Sequence, residues 1–330
     1  MIELEFGAED VGRIRFAIAP LWEAVMSVRA LAATGGLHAP WARQVRPRLD
    51  VTDLELLTAL IRPEGYIPDF LVPPPARRVP SIESSLAQVA NTDAETVAAQ
   101  LLHLSTHRVA QSGPGDRVRR AALLRGLIDA PQAGLASVVA TLDRYWRLAL
   151  APFWPQMRAL LQADVTYRLD QIASGGVTQL LRTLHPSLSF DGRMLRIVKY
   201  YDGYTQLGRR GLLLVPCAFA WPDVIVQTAD PHPTVSYSPR GLGRLWEGSA
   251  MPVDSALANV IGRTRATLLA QLDLPMSTTQ LAVQLGLSAP TLSVHLKALQ
   301  SAGIVTARRD GHAVLYSRTH LGELLLSGSV

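Results

Sequence analysis

Two short amphipathic segments joined by a tight turn lie near the C-terminus, and they constrain the fold of this chain more than any other stretch. In the first segment, Ser277 is typical of a helix N-cap and Gly286 is typical of a helix end. In the second segment, Ser288 supplies a new N-cap, and Pro290 stands in the first turn, where its missing N–H costs nothing. The sequence therefore predicts one short helix, a turn and a second helix.

The second predicted helix, from about Ala289 to Ser301, has leucines at helical spacing on one side and polar residues on the other. The leucine stripe must pack on the first helix, which directs the remaining side chains outward. Those side chains are small, hydroxylic and weakly basic, which suits the major groove of DNA. From the two helices we predict DNA contacts by Thr278, Ser288, Ala289, Pro290, Thr291, Ser293, Val294, His295 and Lys297.

A basic hairpin is predicted directly after these helices. Residues 304 to 316 form two short strand-like runs around an Asp-Gly turn, a pattern typical of a β-hairpin. Arg308, Arg309 and His312 lie around this turn, and we predict that they contact DNA, the arginines through the phosphate backbone. Helix, turn, helix and basic hairpin together predict a winged helix-turn-helix.

Residues from about 254 to 326 resemble an ArsR-type winged helix-turn-helix regulator. The resemblance is carried by Leu-Ala-x-x-Leu-Gly-Leu-Ser at 281 to 288, Thr-Leu-Ser-Val-His-Leu at 291 to 296, Leu-x-x-Ala-Gly-Ile-Val at 299 to 305 and Asp-Gly-His-Ala-Val-Leu-Tyr at 310 to 316. It implies a sequence-specific DNA-binding transcriptional regulator of the repressor type. The alternative is a winged helix that serves only protein contacts.

Two copies of the chain are expected on a double-stranded DNA operator. One helix-turn-helix reads only part of a turn of the groove, so affinity and specificity need two half-sites and hence a homodimer. We expect the interface on a predicted helix from Asp254 to Leu272, joined by a helix from Thr319 to Leu326. The apolar residues of the first of these helices are Leu257, Val260, Ile261, Leu268 and Leu269.

Length and composition predict two domains. With 330 residues, 48% of them hydrophobic, the chain can bury far more core than a winged helix needs. We predict an N-terminal domain for sensing or dimerisation over residues 1–250 and a DNA-binding domain over 251–330. The net charge is +5, and the eight Arg or Lys and five Asp or Glu from Arg240 onward contribute +3 of it. Basic charge is therefore concentrated in the predicted DNA-binding domain.

The predicted fold class is α+β and mainly helical. The N-terminal domain is expected to be helical over residues 1–185 and to carry a small antiparallel sheet over 186–240. A short strand is expected over residues 2–6, and the proline-rich stretch 47–80 is expected to be a rigid connector. Helical patterns cover residues 10–16, 20–31, 93–107, 115–129, 131–150, 152–173 and 240–246. Strand-like runs cover residues 194–201, 211–215, 224–228 and 234–237.

The N-terminal part is similar to an uncharacterised domain that precedes an ArsR-type module in long bacterial regulators. The similar motifs are Pro-Leu-Trp-Glu-Ala-Val at 20 to 25, Tyr-Ile-Pro-Asp-Phe-Leu-Val-Pro-Pro-Pro at 66 to 75, Gly-Leu-Leu-Leu-Val-Pro-Cys-Ala-Phe-Ala-Trp-Pro at 211 to 222 and Gly-Arg-Leu-Trp-Glu at 243 to 247. This resemblance implies a one-component architecture, and it implies no particular ligand.

The sequence carries no familiar catalytic motif. Gly-x-Ser-x-Gly, Gly-x-x-x-x-Gly-Lys and Gly-x-Gly-x-x-Gly are all absent, and the single cysteine, Cys217, lies in an apolar run that is typical of a buried, inert thiol. We therefore expect neither an enzyme nor a cofactor. The first residues carry no targeting pattern and no charge-free apolar run reaches membrane-spanning length, so we expect a cytoplasmic protein.

Two residue pairs have the ligand types of one ArsR-type metal site. They are Asp310 with His312 and His320 with Glu323. The first pair falls in the predicted hairpin and the second on the helix that follows, and such a pairing cannot provide the antiparallel helix geometry of that site. We therefore expect no metal, and a metal-responsive repressor is the lesser alternative. His103 and His107 stand at i, i+4, but no adjacent glutamate completes a zinc-hydrolase pattern.

Aromatic residues of the N-terminal domain are candidates for the wall of an effector pocket. Two hypotheses stay open: control by a small organic effector, or a constitutive regulator whose N-terminal domain serves only oligomerisation or partner binding. Aromatic residues at helical spacing belong to cores more often than to ligand sites, but of the two hypotheses we favour control by an effector, with the constitutive regulator as the alternative. The candidate effector residues are Trp22, Tyr66, Phe70, Trp146, Phe153 and Trp154.

Overall fold

The computed structural model describes residues 1–32, 36–107, 117–228, 231–246, 255–272, 276–285, 287–310 and 313–327. The chain forms two compact units, an N-terminal unit of Met1–Ala32 and Val45–Ser238 and a C-terminal unit of Ala33–Gln44 and Pro239–Val330. The contacts therefore divide the chain after residue 238, where we expected a domain boundary near residue 250. The C-terminal unit also takes in a segment from near the start of the chain, which we had not predicted.

Helices dominate the N-terminal unit, as predicted. They are α1 (Pro20–Ala32), α3 (Val51–Leu60), α4 (Ile82–Ala90), α5 (Ala94–Thr106), α6 (Arg117–Asp129), α7 (Pro131–Tyr145) and α8 (Trp154–Leu184), while α2 (Ala39–Val45) lies mostly in the C-terminal unit. Their starts follow local chemistry: the Asp93 side chain accepts the N–H of Thr96 at 2.7 Å at the start of α5. A π-helical turn, Trp146–Leu150, follows α7, and Gly176 at φ 71° interrupts α8 three residues after position 173, where the predicted helix ends.

The stretch 47–80 is more than the predicted connector. Helix α3 occupies part of it, because the Asp50 side chain accepts the N–H groups of Thr52 and Asp53 and so caps the helix. A 3₁₀ turn, Asp69–Leu71, follows, and Phe70, Leu71 and Val72 are buried. The three prolines that follow, at 73 to 75, belong to no helix or strand, as expected. The stretch as a whole nevertheless contributes to the core.

Two four-stranded mixed sheets replace the single antiparallel sheet that we predicted. The first contains β1 (Ile2–Glu5), β3 (Leu188–Phe190), β4 (Met194–Ile197) and β5 (Gly203–Gln206) in the order β3-β4-β1-β5. The second contains β2 (Arg15–Phe16), β6 (Leu213–Pro216), β7 (Ile225–Gln227) and β8 (Thr234–Tyr237) in the order β2-β6-β8-β7. The pair β1–β5 and the pairs that β6 makes with β2 and β8 are parallel. The antiparallel prediction was wrong because residue alternation within a strand does not specify its neighbour.

The sheets and the end of α8 share one hydrophobic core. Ile2 and Leu4 of β1 are buried, whereas Glu3 and Glu5 alternate with them on the more exposed face. The same core takes in buried residues of α8, β4, β6 and β8, namely Leu180, Leu181, Leu184, Leu195, Ile197, Leu214, Val235 and Tyr237. The N-terminal strand is thereby held against chain that follows it by almost two hundred residues.

Residues 10–16 do not form the predicted helix. A 3₁₀ turn, Val11–Arg13, leads into β2. The buried carboxylate of Asp10 explains the difference, because it accepts the N–H of Gly7 at 2.8 Å and the N–H of Gly211 at 2.9 Å. These bonds join two loops and direct the chain into the second sheet.

The C-terminal unit is a winged helix-turn-helix with additions. Besides α2 it contains α9 (Ser255–Ile261), α10 (Arg263–Gln271), β9 (Met276–Ser277), α11 (Thr278–Leu285), α12 (Ala289–Ser301), β10 (Val305–Asp310), β11 (Ala313–Arg318) and α13 (His320–Ser327). The strands form a sheet in the order β10-β11-β9. The α+β, mainly helical fold with a C-terminal helix-turn-helix is therefore confirmed.

Two predicted helices of this region are shorter or divided. The continuous helix expected from Asp254 to Leu272 is split into α9 and α10 by Gly262, whose φ of 86° is incompatible with a right-handed helix. Asp254 itself lies outside the described residues. Over residues 240–246 the structure has a single 3₁₀ turn, Leu242–Arg244, preceded by Gly241 at φ 74°.

Candidate nucleic-acid interface

Helices α11 and α12 pack through the leucine stripe that the sequence predicted. Ser277 lies in β9, directly before α11. The leucines at the expected spacing are almost wholly buried: Leu281, Leu285, Leu292, Leu296 and Leu299. Burial of this stripe fixes which side of α12 is turned away from the unit.

The start of α12 is capped as predicted. The Ser288 hydroxyl accepts the N–H of Thr291 at 3.3 Å, and the two side-chain hydroxyls lie 2.8 Å apart. Ser288, Ala289, Pro290 and Thr291 are all exposed. The first turn of α12 therefore presents two hydrogen-bonded hydroxyl groups to solvent. In a helix-turn-helix, this end of the second helix is the part that reaches base edges.

The outward face of α12 continues through Val294 and Lys297. Val294 is 65% exposed and Lys297 is exposed, while Ser293 and His295 are half-buried at its edges. The Nδ1 atom of His295 is buried and has no hydrogen-bond partner within the part of the chain that the structure describes. The His295 ring is therefore turned partly inward. Thr278, at the start of α11, is half-buried as well.

The wing is a six-residue antiparallel ladder between β10 and β11. Arg308 stands opposite Leu315, and Arg309 stands opposite Val314. Both arginines are exposed, but consecutive residues of a strand point to opposite faces, so they lie on different faces of the hairpin. His312, the third predicted wing residue, lies outside the described residues.

The expected dimer residues divide into two groups. Leu257, Leu268 and Leu269 are buried in the core of their own unit, so they are not available to a second copy. Val260 is 81% exposed and Ile261 is half-buried. This part of the prediction needs correction: the division at Gly262 rotates α10 into the core and leaves mainly the end of α9 at the surface.

Two polar residues that the sequence analysis missed support the hairpin. The Arg318 guanidinium donates from Nε to the carbonyl of Leu269 at 2.8 Å and from Nη2 to the carbonyl of Ala270 at 2.9 Å. Thr319 donates its hydroxyl to the carbonyls of Gly303 and Ile304. A cation on the last carbonyls of a helix satisfies them and complements the helix dipole, so Arg318 ties the wing to α10.

A tryptophan cluster brings the segment from residue 36 to residue 44 into the C-terminal unit. The buried Trp246 donates its indole N–H to Nδ1 of His38 at 3.1 Å, and its ring stacks on Trp41 of α2 with centroids 6.3 Å apart. The turn Leu242–Arg244 contacts α11, the first helix of the helix-turn-helix. The sequence analysis missed this cluster because its members are more than two hundred residues apart.

The six candidate effector residues occupy several environments in the N-terminal unit. Trp146 and Trp154 meet edge to face at 5.3 Å, while Tyr66 packs against His103 at 4.6 Å. Trp22 and Phe70 are buried core residues, and the indole N–H of Trp22 is donated to the carbonyl of Pro73. Phe153 is half-buried directly before α8. A surface cavity of about 530 Å³ lies elsewhere, around the end of β1 and the loops beside it, and none of the six residues lines it.

The residues that have the ligand types of an ArsR-type metal site give no cluster in the described structure. His320 and Glu323 are exposed at the start of α13, and His312 lies outside the described residues. Within the described ranges, no group of three or more His, Cys, Asp or Glu side chains is arranged to hold a metal ion. The ring centroids of His103 and His107 lie 5.6 Å apart, and both rings also contact the ring of Tyr66. None of the described helices combines the length and the apolar character needed to cross a bilayer.

Comparison with known protein families agrees with this geometry. Residues 262–308 match a helix-turn-helix domain family, and residues 109–240 match a family of unknown function, DUF5937. No curated protein and no solved structure matched the chain. The matched helix-turn-helix covers α10, α11, α12 and the first strand of the wing, so the chain carries a domain of DNA-binding type. This domain supports a role as a DNA-binding regulator of transcription rather than as an enzyme.

Proposed function

We propose that this protein is a sequence-specific transcriptional repressor of ArsR type that binds a double-stranded operator as a homodimer. The observation that carries the proposal is the exposed face of α12. Its leucine stripe is buried and its first turn is capped, which leaves Thr291, Val294 and Lys297 outward on a rigid helix. A helix supported in this way, followed by a basic hairpin, suits insertion into a major groove.

The residues have different proposed roles. Those of the first turns of α12 read base edges, because hydroxyl, imidazole and methyl groups can pair with or pack on bases. Lys297, farther along the same face, and the wing residues Arg308 and Arg309 contact phosphates, which gives affinity without sequence information. We propose that two copies of the chain contact each other on DNA through the end of α9, around Val260, and through α13, where Leu321 is exposed.

The test is selection of DNA from a random pool by the full-length protein, followed by binding measured with fluorescence anisotropy. We expect an enriched site with two half-sites about one or two helical turns apart. Thr291→Ala should lose preference for that site, whereas Arg158→Ala, at an exposed arginine of α8, should bind like the wild type. Absence of any enriched sequence would refute the proposal.

A small organic effector bound by the N-terminal unit is the second part of the proposal. Gln227 is 4% exposed and donates its amide N–H to Asp69 at 3.2 Å, while its buried Oε1 atom has no hydrogen-bond partner among the described residues. Burial raises the pKa of the Asp69 carboxyl, and the Tyr66 hydroxyl lies 3.5 Å from it. A donor group of a ligand would satisfy the Gln227 oxygen, which supports a polar effector beside Tyr66 and Phe70.

The alternative is a constitutive regulator whose N-terminal unit serves oligomerisation or partner binding. A thermal-shift screen of the full-length protein against metabolites separates the two, since a ligand that binds only the native state raises the melting temperature. Gln227→Leu should abolish the shift caused by any compound that binds beside Asp69. If no metabolite shifts the melting temperature, the constitutive alternative stands.

A further inference from the structure

Exposed tyrosines are concentrated around strand β5. Tyr200, Tyr201 and Tyr204 are 64%, 43% and 57% exposed, and Val198, five residues before the start of β5, is exposed as well. Tyr200 and Tyr201 pack edge to face at 5.0 Å, so the two rings are ordered against each other. Tyrosine is enriched in the cores of protein interfaces and among the residues that contribute most of their binding energy. This surface, which we call the β5 patch, has the character of an interface.

The β5 strand also forms an edge of its sheet. It pairs with β1 only, in parallel, and within the part of the chain that the structure describes no strand lies on its other side. Gly203 donates its N–H to the carbonyl of Met1 at 3.1 Å, and Leu207 donates its N–H to the carbonyl of Glu5 at 2.9 Å. Because backbone groups alternate along a strand, the N–H and C=O of Tyr204 then point away from β1.

One of the outward backbone groups is already occupied. The carbonyl of Gln206 accepts a hydrogen bond from Nη2 of Arg210 at 2.6 Å. The strand therefore offers the N–H and C=O of Tyr204 and the N–H of Gln206 to an added strand. A donor and an acceptor on the same central residue make this edge complementary to itself, since a two-fold axis at Tyr204 would exchange both bonds with an identical strand.

We propose that β5 pairs antiparallel with β5 of a second copy of this chain, centred on Tyr204. The pairing joins the two four-stranded sheets into one continuous sheet and brings the two Tyr204 rings side by side on the same face. Tyr204 is held for this role, because its hydroxyl bonds to the Glu5 carboxylate on the neighbouring strand. The inference goes beyond the proposed function: it places a dimer contact in the N-terminal unit, and it needs no DNA.

Charges at the ends of β5 favour an antiparallel partner. Asp202 precedes the strand, with a side chain that is 99% exposed and lies 2.8 Å from the N-terminal amino group of Met1, while the guanidinium of Arg210 lies beyond the end of the strand, at the open edge. Antiparallel pairing directs the acidic start of one strand toward the basic end of the other. A parallel partner of the same sequence would place like charges side by side, which is unfavourable. A second copy therefore suits this edge in one orientation.

The first experiment measures self-association of the full-length protein without DNA, by sedimentation at micromolar concentration. Tyr204→Pro removes the outward N–H but leaves the ladder bonds donated by Gly203 and Leu207. Tyr204→Phe is the matched control, since both variants lose the hydroxyl bond to Glu5 and only proline loses the N–H. We expect dimers for the wild type and the phenylalanine variant, and dimerisation weakened about tenfold or more for the proline variant.

A second variant avoids dependence on proline. Tyr200→Arg changes an exposed side chain and adds charge at the β5 patch, so it should weaken dimerisation while the circular dichroism and melting temperature stay unchanged. The matched control is Leu102→Arg, at a 58% exposed position of α5. The inference is overturned if the wild type is monomeric, or if neither Tyr204→Pro nor Tyr200→Arg weakens the dimer.

A cross-link tests the register. The α-carbons of a hydrogen-bonded antiparallel pair lie about 5.5 Å apart, within the reach of a disulfide. Tyr204→Cys should therefore form a covalent dimer on mild oxidation, while Leu102→Cys should not. The natural Cys217 is fully buried and does not compete. If the protein binds its operator but Tyr204→Cys forms no covalent dimer, the β5 pairing is wrong and the proposed function stands. If Tyr204→Cys cross-links but the protein binds no DNA, the β5 pairing stands and the proposed function is wrong.

Discussion

Gly322 of α13 lies against the carbonyl oxygen of Ile304. A Cβ atom added to Gly322 would come within 2.4 Å of that oxygen and within 3.2 Å of a methyl carbon of Leu269. Helix α13 thus approaches the start of the wing closely because residue 322 has no side chain. The helix, the wing and α10 therefore meet at this position.

Gly322→Ala should therefore destabilise the C-terminal unit. Alanine favours a helix by itself, but relief of the contact needs a backbone shift that costs about 1 to 3 kcal/mol. Gly126→Ala is the control: it lies within α6, and a Cβ there meets nothing within 4 Å. It should be neutral or stabilising by up to about 1 kcal/mol. Urea unfolding followed by the tryptophan fluorescence compares the two, and equal effects would contradict the contact.

Thr291→Ala and His295→Ala should relax sequence preference on the operator. Loss of a base contact costs about 1 to 3 kcal/mol on the correct site and little on random DNA. Thr291 should have the larger effect, because His295 is half-buried and its Nδ1 atom faces inward. The measurement is affinity for the operator and for variants of each half-site. Equal losses on operator and random DNA would show that these residues contact phosphates instead.

Arg308→Ala and Arg309→Ala should each weaken binding to operator and to random DNA by about the same factor. Each lost phosphate contact lowers the slope of log affinity against log salt by about one. Since the two arginines lie on opposite faces of the hairpin, we expect their slopes to differ, with the larger change at the arginine that faces DNA. Salt titrations on operator and random DNA provide the test. A change of sequence preference with Arg308→Ala, and none with Thr291→Ala, would reverse the assignment of helix and wing.

Operator binding should not respond to metal. Treatment with a chelator, or replacement of the exposed His320 and Glu323 by alanine, should leave the affinity unchanged, because these residues are not joined by further ligands within the described structure. The check is operator affinity measured with chelator, with added zinc and with neither. A shift of about tenfold with zinc would restore the metal-responsive alternative, since coupling of that size is typical of an allosteric ligand.

Glu23 should make the stability depend on pH. Its buried carboxyl accepts the N–H groups of Ala218 and Phe219, and burial raises its pKa to about 7 from an ordinary value of 4.5. Between these values the folded protein holds a proton that the unfolded chain releases. The contribution to stability is therefore full below pH 4.5 and is lost as the pH rises through 7, by up to about 3 kcal/mol.

The measurement is urea unfolding of the wild type and of Glu23→Gln at pH 5 and pH 8. Glutamine keeps an acceptor oxygen and does not titrate, so the wild type should lose more stability than the variant between the two pH values. Parallel losses in the two proteins would show that Glu23 does not take up a proton in this range. The buried Cys217 thiol does not interfere, since burial raises its pKa well above the ordinary value.

Local patterns predicted the helix-turn-helix well. The cap at Ser288, the proline in the first turn and the leucines of α12 act within a few residues of each other, and all are found as expected. The glycine at position 262 shows the limit of such patterns. Apolar residues on both of its sides keep helical spacing, and only its positive φ, which follows from packing, divides the helix.

Long-range pairing could not be predicted in the same way. Alternation identified β1 as a half-buried strand, but its neighbours β4 and β5 lie almost two hundred residues later, and one of them is parallel to it. The candidate effector residues were selected as aromatics, although the polar groups beside them, Asp69 and Gln227, distinguish that region. Residue type indicates a buried ring, whereas an unsatisfied acceptor is visible only in three dimensions.

The bond between Trp246 and His38 has a consequence for how the protein is made. The two residues are 208 positions apart, so a ribosome must add about two hundred residues after His38 before its partner in the C-terminal unit exists. During that interval Trp41 lacks the ring of Trp246 on which it stacks in the finished unit. Completion of the DNA-binding unit therefore belongs to the last stage of synthesis, and a chain released early cannot assemble it.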